Sequence, residues 1–251
     1  MAQKPRFQYQ KRTREDVKER ANNRGGNFDS IFKGNFKVYK VREGKNVVRV
    51  LPPTWEKPKH YGLDIWVNYG IGADNQSYLS LSKMKNQKDP IAEGRLVAQR
   101  EGDDKLARAL QPTQRILMWI IDRNAEDEGP QLWPAAFTVD KDLALLSLDE
   151  DTKEVTYIDD PETGCDFRFH TEGTGMMRKY PAAKMKLLTE SPLSQDADLQ
   201  AEWLEFVAAN PLPDVLNFYD YDHISAAFDG QARINDEDDE PKAVGARRPP
   251  K

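Results

Sequence analysis

The stretch RILMWIIDR at residues 115–123 is the clearest β-strand of the chain and sets the expected fold class. Its six central residues are all apolar, a run typical of a strand and far short of the roughly 20 residues that a membrane-spanning helix needs. Period-two alternation places Ile116, Met118 and Ile120 on one face and Trp119 on the other. The pattern therefore predicts a strand with a core face and a second face that carries ligand-binding groups.

Similar short runs lie on both sides of this strand, with turn residues between them. We predict one hairpin over residues 36–51, with FKVYKV and NVVRVL flanking REGK, and a second over residues 64–82, with DIWVNYGIG and QSYLSLS flanking residues 73–75. The remaining predicted strands are QLWPAAFTV (131–139), DFRFHT (166–171) and AKMKLL (183–188), and helices are expected near residues 90–110 and 141–148. This arrangement predicts a mainly β protein with helical insertions (α+β), built on a five-stranded OB-fold barrel; a β-sandwich is the alternative.

Charge and composition divide the chain into four parts. Residues 1–27 form a basic N-terminal arm with eight Lys/Arg and three Asp/Glu, and residues 28–190 form the predicted core. Residues 191–228 are predicted to be a helical docking segment, and residues 229–251 a disordered acidic tail with a basic end. From Glu190 to Glu240 there are fourteen acidic residues and one basic residue, although the whole chain has a net charge of only −5. Such a distribution is typical of a protein that holds a polyanion with one part and mimics it with another.

Little in the sequence indicates catalysis or a metal site. His60, His170 and His223 are far apart, and the single cysteine, Cys165, excludes an internal disulfide and a multi-cysteine zinc site. The GTG sequence at residues 173–175 lacks the Lys-Ser/Thr of a P-loop. We therefore expect a cytoplasmic protein that is not an enzyme and has no cofactor, metal or membrane segment.

Aromatic and basic side chains recur on the faces of the predicted strands that point away from the core. Proteins that hold single strands combine a cationic groove with aromatic rings, because every base has a face for stacking. The alternative is that the rings are core residues and the cations ordinary surface. Likewise, residues 83–108, with seven basic and five acidic side chains, are either one wall of a groove or a salt-bridged helical surface. The residues predicted to contact single-stranded DNA are Arg49, Tyr69, Tyr78, Lys83, Arg95, Arg115, Trp119, Arg123, Trp133, Lys184 and Lys186.

Seven motifs of the chain, in their order, resemble the single-stranded-DNA-binding, helix-destabilising proteins of T-even-type bacteriophages and their relatives. They are QKRTREDVKERA, VVRVLP, IWVNYGIG, QSYLSLS, DPIAEGRL, RILMWIIDR and GCDFRFHTEGTGMMRKY, over about residues 11–188. The resemblance implies an OB-fold core, binding without base specificity, and service in DNA replication, recombination and repair. It also implies that the basic arm mediates head-to-tail cooperativity between copies through Lys11, Arg12 and Thr13.

The resemblance further implies that the acidic C-terminal segment contacts replication and recombination proteins and competes with DNA for the groove. Two departures from the family stand out. The family usually ends acidic, whereas this chain has a basic end, ARRPPK. The best-known members hold a structural zinc with one histidine and three cysteines, and the corresponding residues here are Tyr69, Ser82, Asp89 and Ala92. We therefore expect the zinc to be lost and the insertion to be held by packing.

Taken together, the residues and the resemblance predict a phage-encoded protein that coats and protects single-stranded DNA without base specificity. An RNA-binding OB-fold protein is the alternative among binding proteins. A self-associating scaffold is the alternative from a different class, and it should assemble without nucleic acid.

Overall fold

Seven antiparallel strands form one sheet in the computed structural model, which describes residues 29–72, 75–149 and 151–229. The strands are β1 (Gly44–Val50), β2 (Leu63–Ile71), β3 (Gln76–Leu79), β4 (Thr113–Asp122), β5 (Gln131–Ala136), β6 (Cys165–Thr171) and β7 (Lys186–Glu190). Their order across the sheet is β3-β2-β4-β1-β6-β7, and β5 pairs with β4. The basic arm, with Lys11, Arg12 and Thr13, and the chain after residue 229 lie outside the described residues.

Helices follow β3, β5 and β7. The insertion between β3 and β4 contains α1 (Leu81–Lys85), α2 (Pro90–Glu101) and α3 (Asp104–Ala109); α4 (Phe137–Leu146) follows β5, and α5 (Ala197–Ala209) and α6 (Tyr221–Phe228) follow β7. The helical insertion predicted near residues 90–110 is confirmed. It is divided at Gly102, whose φ of 79° ends α2 in the left-handed region that glycine adopts without strain. Within the described ranges, no helix is long and apolar enough to cross a membrane.

Strand β4 is the branch point of the sheet, and it explains why the sheet is not closed into a barrel. Leu117 pairs with Leu63 of β2, and Ile120 pairs with Val50 of β1, whereas β5 pairs with residues 115–120 of the same strand. One edge of β4 is therefore shared by two wings, β2–β3 and β1–β6–β7, while β5 occupies the other edge. The sheet is not closed into the predicted barrel; the fold is a mixed α/β protein dominated by an antiparallel sheet of seven strands.

Both faces of β4 are buried. Leu117, Trp119 and Ile121 belong to a first core, which also contains Trp203 and Val207 of α5. The other face, with Ile116, Met118 and Ile120, belongs to a second core under α4. From Ile116 to Asp122 the strand is buried on both sides, so the sequence prediction of a ligand-binding face around Trp119 is wrong.

A third, smaller core holds the helical insertion against the hairpin of β2 and β3. It contains Tyr78 of β3, Leu81 of α1, Ile91 of α2 and Ile224 of α6. The predicted hairpin of β2 and β3 is confirmed, although residues 73–74 of its turn are outside the described ranges.

The other predicted hairpin, over residues 36–51, is wrong in its first half. Residues 37–39 run parallel to β5: the Tyr39 amide donates to the Leu132 carbonyl, and the Leu132 amide donates to the Lys37 carbonyl, both at 2.8 Å. The bend before β1 is held by the Asn46 side chain, whose Oδ1 accepts from the Tyr39 hydroxyl at 2.8 Å and from the Arg42 amide at 3.0 Å. The chain therefore bends around the buried Asn46 before β1, and residues 37–39 pair with β5 instead of forming the predicted hairpin with β1.

Candidate nucleic-acid interface

A groove of about 660 Å³ lies where the helical insertion meets the beginning of β4. Its walls come from β2, from all three helices of the insertion, from the first residues of β4 and from the start of α4. The lining residues are Trp66, Lys83, Arg95, Arg108, Gln111, Pro112, Thr113, Gln114 and Phe137. Three of the nine are cations, two are aromatic and none is acidic.

Arg95 is the most informative of the three cations. It lies one turn beyond Ile91 and one turn before Ala98 on α2, so it shares the buried face of that helix. Arg95 is half-buried and lines the groove. Its Nε is buried and has no hydrogen-bond partner among the described residues.

Lys83 and Arg108 are positioned by capped helices on either side of α2. The Ser80 side chain accepts from the Lys83 amide at the start of α1, and the Asp103 carboxylate accepts from the Leu106 amide at 2.9 Å at the start of α3. Within the described residues, neither cation nor Arg95 forms an ion pair. Three uncompensated positive charges therefore meet at one groove.

The aromatic residues of the groove are Trp66 and Phe137. Trp66 is half-buried and pairs with Gln114 across β2 and β4, so their side chains share one face of the sheet. Phe137 is 46% exposed at the start of α4. The nearest acid on this face, Asp64, accepts from Gln114 Nε2 at 2.9 Å. The groove thus combines cations with two accessible rings.

These contacts separate the two interpretations of residues 83–108. A salt-bridged surface requires ion pairs, and the structure, which describes this whole segment, has none within it. Its cations Lys83, Arg95 and Arg108 instead line the groove. The geometry therefore favours the groove wall.

Buried Asp89 organises the insertion where the resembling family holds zinc. Its Oδ2 accepts from the Ser80 hydroxyl at 2.8 Å and from the Ser82 amide at 3.2 Å, and its Oδ1 accepts from the amides of Ile91 and Ala92 at 3.1 and 3.3 Å. The insertion is therefore held by a hydrogen-bonded carboxylate as well as by packing in the third core. Among the described residues, no group of three or more His, Cys, Asp or Glu side chains is arranged to hold a metal ion.

Four of the predicted DNA contacts are interior residues, and we correct them. The first is Arg49, and the other three are Tyr78, Trp119 and Trp133, each at most 2% exposed. Trp119 packs edge-on against Phe36 and Phe206 and donates from Nε1 to the Asn210 carbonyl at 2.9 Å. Trp133 stacks on Phe169 in the second core, with ring centroids 5.2 Å apart, and Tyr78 belongs to the third core. Rings covered in this way offer no face to a base.

Arg49 has a structural role instead. Its Nη2 donates to the carbonyls of Asp160 at 3.0 Å and Ser191 at 2.7 Å, and its Nη1 lies 3.5 Å from Asp166 Oδ1. Burial lowers the pKa of this guanidinium, and the nearby Asp166 carboxylate opposes that shift. Arg49 therefore ties β1 to the segments before and after the β6–β7 pair.

Three further predicted contacts are engaged with protein. Arg123 donates from Nε to Asp166 Oδ1 and from Nη1 to Glu126 Oε1, both at 2.9 Å. Arg115 donates from Nε to the Tyr69 hydroxyl at 3.2 Å. Burial raises the pKa of Tyr69, so its hydroxyl stays protonated at neutral pH. Arg115 follows Gln114 on β4, and its side chain leaves from the face opposite the groove.

The last two predicted contacts, Lys184 and Lys186, are exposed near the start of β7, in the other wing of the sheet. The Lys184 ammonium lies 2.7 Å from a Glu172 carboxylate oxygen, and Lys186 has no ion-pair partner among the described residues. Of the eleven predicted residues, only Lys83 and Arg95 line the groove.

Sequence reasoning missed three groove residues: Trp66, Arg108 and Phe137. The signal for Trp66 was present, because Ile65 and Val67 alternate with it and mark the buried face of β2. Phe137 was hidden inside QLWPAAFTV, where the strand ends at Ala136 and a helix begins. No protein-family model matches the chain, and a search of curated proteins finds no match.

Proposed function

We propose that this protein binds single-stranded nucleic acid, DNA in preference, in the groove between the helical insertion and β4. The observation that supports this most is the meeting of Lys83, Arg95 and Arg108, without ion-pair partners among the described residues, beside two accessible rings. Cations attract the phosphate backbone, and rings stack on bases whatever their identity. The groove therefore suits a ligand that is a polyanion and carries flat bases.

We further propose that binding is not base-specific and that the protein is not an enzyme. It would coat strands during phage DNA replication, recombination and repair, with copies arranged head to tail and partner proteins recruited by the acidic segment. The resemblance of the seven motifs supports this role. The OB-type assignment belongs to the same proposal: the helical insertion between β3 and β4 supports it, whereas the open sheet does not.

The test is a titration of tryptophan fluorescence with oligo(dT), the matching RNA and duplex DNA over a salt series. We expect quenching by oligo(dT), weaker quenching by RNA and little by duplex. Among the five tryptophans, Trp66 lines the groove, while Trp119, Trp133 and Trp203 are buried. W66F should therefore remove most of the quenching, and F137A should weaken binding roughly tenfold or more, because one stacked base contributes about 1–3 kcal/mol.

The charge of the groove is tested with the triple variant K83Q/R95Q/R108Q. Because each phosphate contact contributes about −0.7 to the slope of log K against log salt, the slope should become shallower by about 2. The matched control is K33Q/K40Q/K59Q, which removes three exposed lysines outside the groove. A groove variant that binds like this control, or a wild-type protein that binds no single strand, would contradict the proposal.

A self-associating scaffold is the second candidate, because one surface, at the end of α4 away from Phe137, is apolar. Leu145, Leu146 and Leu148 at the end of α4, with Val155 and Tyr157, are all at least 40% exposed. Light scattering without nucleic acid separates the two functions. Large assemblies that form in the absence of any nucleic acid would favour the scaffold.

A further inference from the structure

We propose that a second surface, the cationic strip formed by Lys45, Arg168 and Lys186, binds the phosphate backbone of the same strand away from the groove. The inference rests on the proposed function. The strip contacts the phosphates of the nucleic acid but not its bases. Only a ligand long enough to extend out of the groove can reach it.

Strand register brings the three cations to one face of the sheet. Lys45 of β1 pairs with His170 of β6, and Arg168 of β6 pairs with Lys186 of β7. Directly opposite residues of antiparallel strands share a face, and so do residues two apart on one strand. Because neighbouring strands are about 4.8 Å apart, the strip spans about 10 Å across β1, β6 and β7.

The strip is positively charged after its neighbours are counted. Asp166 lies on the same face, but it is already 3.5 Å from Arg49 and 2.9 Å from Arg123. Within the described residues, Lys45, Arg168 and Lys186 form no ion pair, and Glu190 pairs with Cys165 beyond a register shift, on the other face of the sheet. The net positive charge of this face suits an anionic ligand.

Because the strip carries no aromatic side chain, it contacts the phosphates of the nucleic acid and not its bases. On this face, β1 carries Lys45, Val47 and Arg49, β6 carries Asp166, Arg168 and His170, and β7 carries Lys186. None of these side chains is Phe, Tyr or Trp. The strip therefore contacts phosphates, whereas the groove contacts phosphates and bases.

The strip is well separated from the groove and lies on the opposite face of the sheet, because Arg49 of the strip face pairs with Ile121, whereas the groove lies on the face of Gln114. From Gln114, which lines the groove, to Asp122, β4 advances about 26 Å at about 3.3 Å per residue. Val48 pairs with Asp122, and Lys45 lies further along β1 in the direction away from the groove. A short oligonucleotide held in the groove thus ends before the strip.

The test compares K45Q/R168Q/K186Q with wild type on oligo(dT) from about 4 to about 16 nucleotides, the range of known site sizes for related binding surfaces. We expect equal affinity for the shortest ligand and weaker binding by the variant above a threshold length. On the longest ligand the salt slope should be shallower by about 2, because each phosphate that the strip binds contributes about 0.7 to it. Replacing the distal nucleotides by abasic ones should leave the difference unchanged, because the strip reads no bases.

Two further variants keep the result interpretable. K45Q/K186Q changes only exposed side chains and should show about two thirds of the slope change if R168Q disturbs folding. The control K33Q/K40Q/K59Q should behave as wild type at every length. The strip inference is overturned if K45Q/R168Q/K186Q also binds as wild type at every length, or if the abasic extension adds nothing where thymidines do. A wild-type protein that binds no single strand at all overturns the proposed function itself.

Discussion

Arg49 and Arg95 have the same side chain but different surroundings, and these surroundings decide what each residue does. Arg49 is buried in β1, and its guanidinium donates to two backbone carbonyls and lies 3.5 Å from a carboxylate oxygen. Arg95 is half-buried on α2 and lines a groove that has no acidic residue in its lining. The sequence predicts DNA contacts for both, for Arg49 from the alternation of NVVRVL and for Arg95 from the basic segment at residues 83–108. What separates them is the set of neighbours, which comes from segments more than 100 residues away in the case of Arg49.

We predict that R49M destabilises the protein without changing its affinity for oligo(dT). The Ser191 carbonyl loses its donor, whereas the Asp160 carbonyl keeps the Gly164 amide at 3.0 Å. An unsatisfied group of this kind costs about 1–3 kcal/mol, and the free energy of unfolding should fall by about that amount. Urea unfolding measures the first effect and fluorescence titration of the folded protein the second. R100M, on the exposed side of α2, is the control and should change neither quantity. An R49M protein as stable as wild type but weaker in binding would restore Arg49 to the interface.

We predict that D89A destabilises the protein by about 2–4 kcal/mol, because it removes a helix cap and leaves the buried Ser80 hydroxyl without its acceptor. D103A removes an exposed cap with one hydrogen bond and should cost about 1 kcal/mol, so the difference measures the buried network. EDTA should leave the melting temperature of the wild-type protein unchanged. A melting temperature that falls with EDTA, or D89A and D103A of equal stability, would show that Asp89 does not hold the insertion.

At the scale of elements, the groove depends on how the helical insertion is held in place. Helix α2 packs against α6, and the contact needs a glycine: a Cβ on Gly94 would lie 2.6 Å from the ring of Phe228. Similarly, a Cβ on Gly72, at the end of β2, would lie 2.4 Å from the Ala227 carbonyl oxygen. The C-terminal helix therefore fixes the insertion against β2, and with it the positions of Lys83, Arg95 and Arg108.

We predict that G94A lowers the free energy of unfolding by about 1 kcal/mol. Overpacking costs about 1–3 kcal/mol and outweighs the gain of about 1 kcal/mol in helix propensity. F228A should cost less in the G94A background than in the wild type, because the smaller side chain makes room for the new methyl group. Q99A, at an exposed position of the same helix, is the control for propensity. Additive effects of G94A and F228A in urea unfolding would mean that the two residues do not touch.

At the scale of the whole molecule, charge is separated along the chain. The groove and the strip are cationic, whereas residues 236–240 are all acidic. The net charge of −5 therefore describes neither the cationic surfaces nor the acidic run. Opposite charges on one chain attract each other over about a Debye length, which is roughly 10 Å at 0.1 M salt and 30 Å at 0.01 M. Competition between residues 236–240 and single-stranded DNA for the cationic surfaces should thus be strongest at low salt.

We predict that neutralising residues 236–240, as D236N/E237Q/D238N/D239N/E240Q, tightens binding of oligo(dT) at low salt. The gain should shrink as salt rises, because screening weakens the competition. K242Q/R247Q/R248Q, which changes the basic end instead, is the control for altering this segment and should not tighten binding. Equal affinity of the acidic-run variant and the wild type at low salt would exclude the competition.

The sequence by itself determined the elements whose signals are local. The strand around Ile116–Ile121, the hairpin of β2 and β3, and the helical insertion with its caps all follow from periodicity and from turn and cap residues that act over a few positions. The cationic character of residues 83–108 was equally visible. Tertiary structure alone decided which face of each strand is free. Trp119 and Trp66 both lie opposite an apolar alternation, but α5 covers the first and leaves the second at a groove. The closure of the sheet was likewise undetermined, because it depends on pairing between distant strands. β5 pairs with the second edge of β4, and no local sequence pattern predicts this pairing.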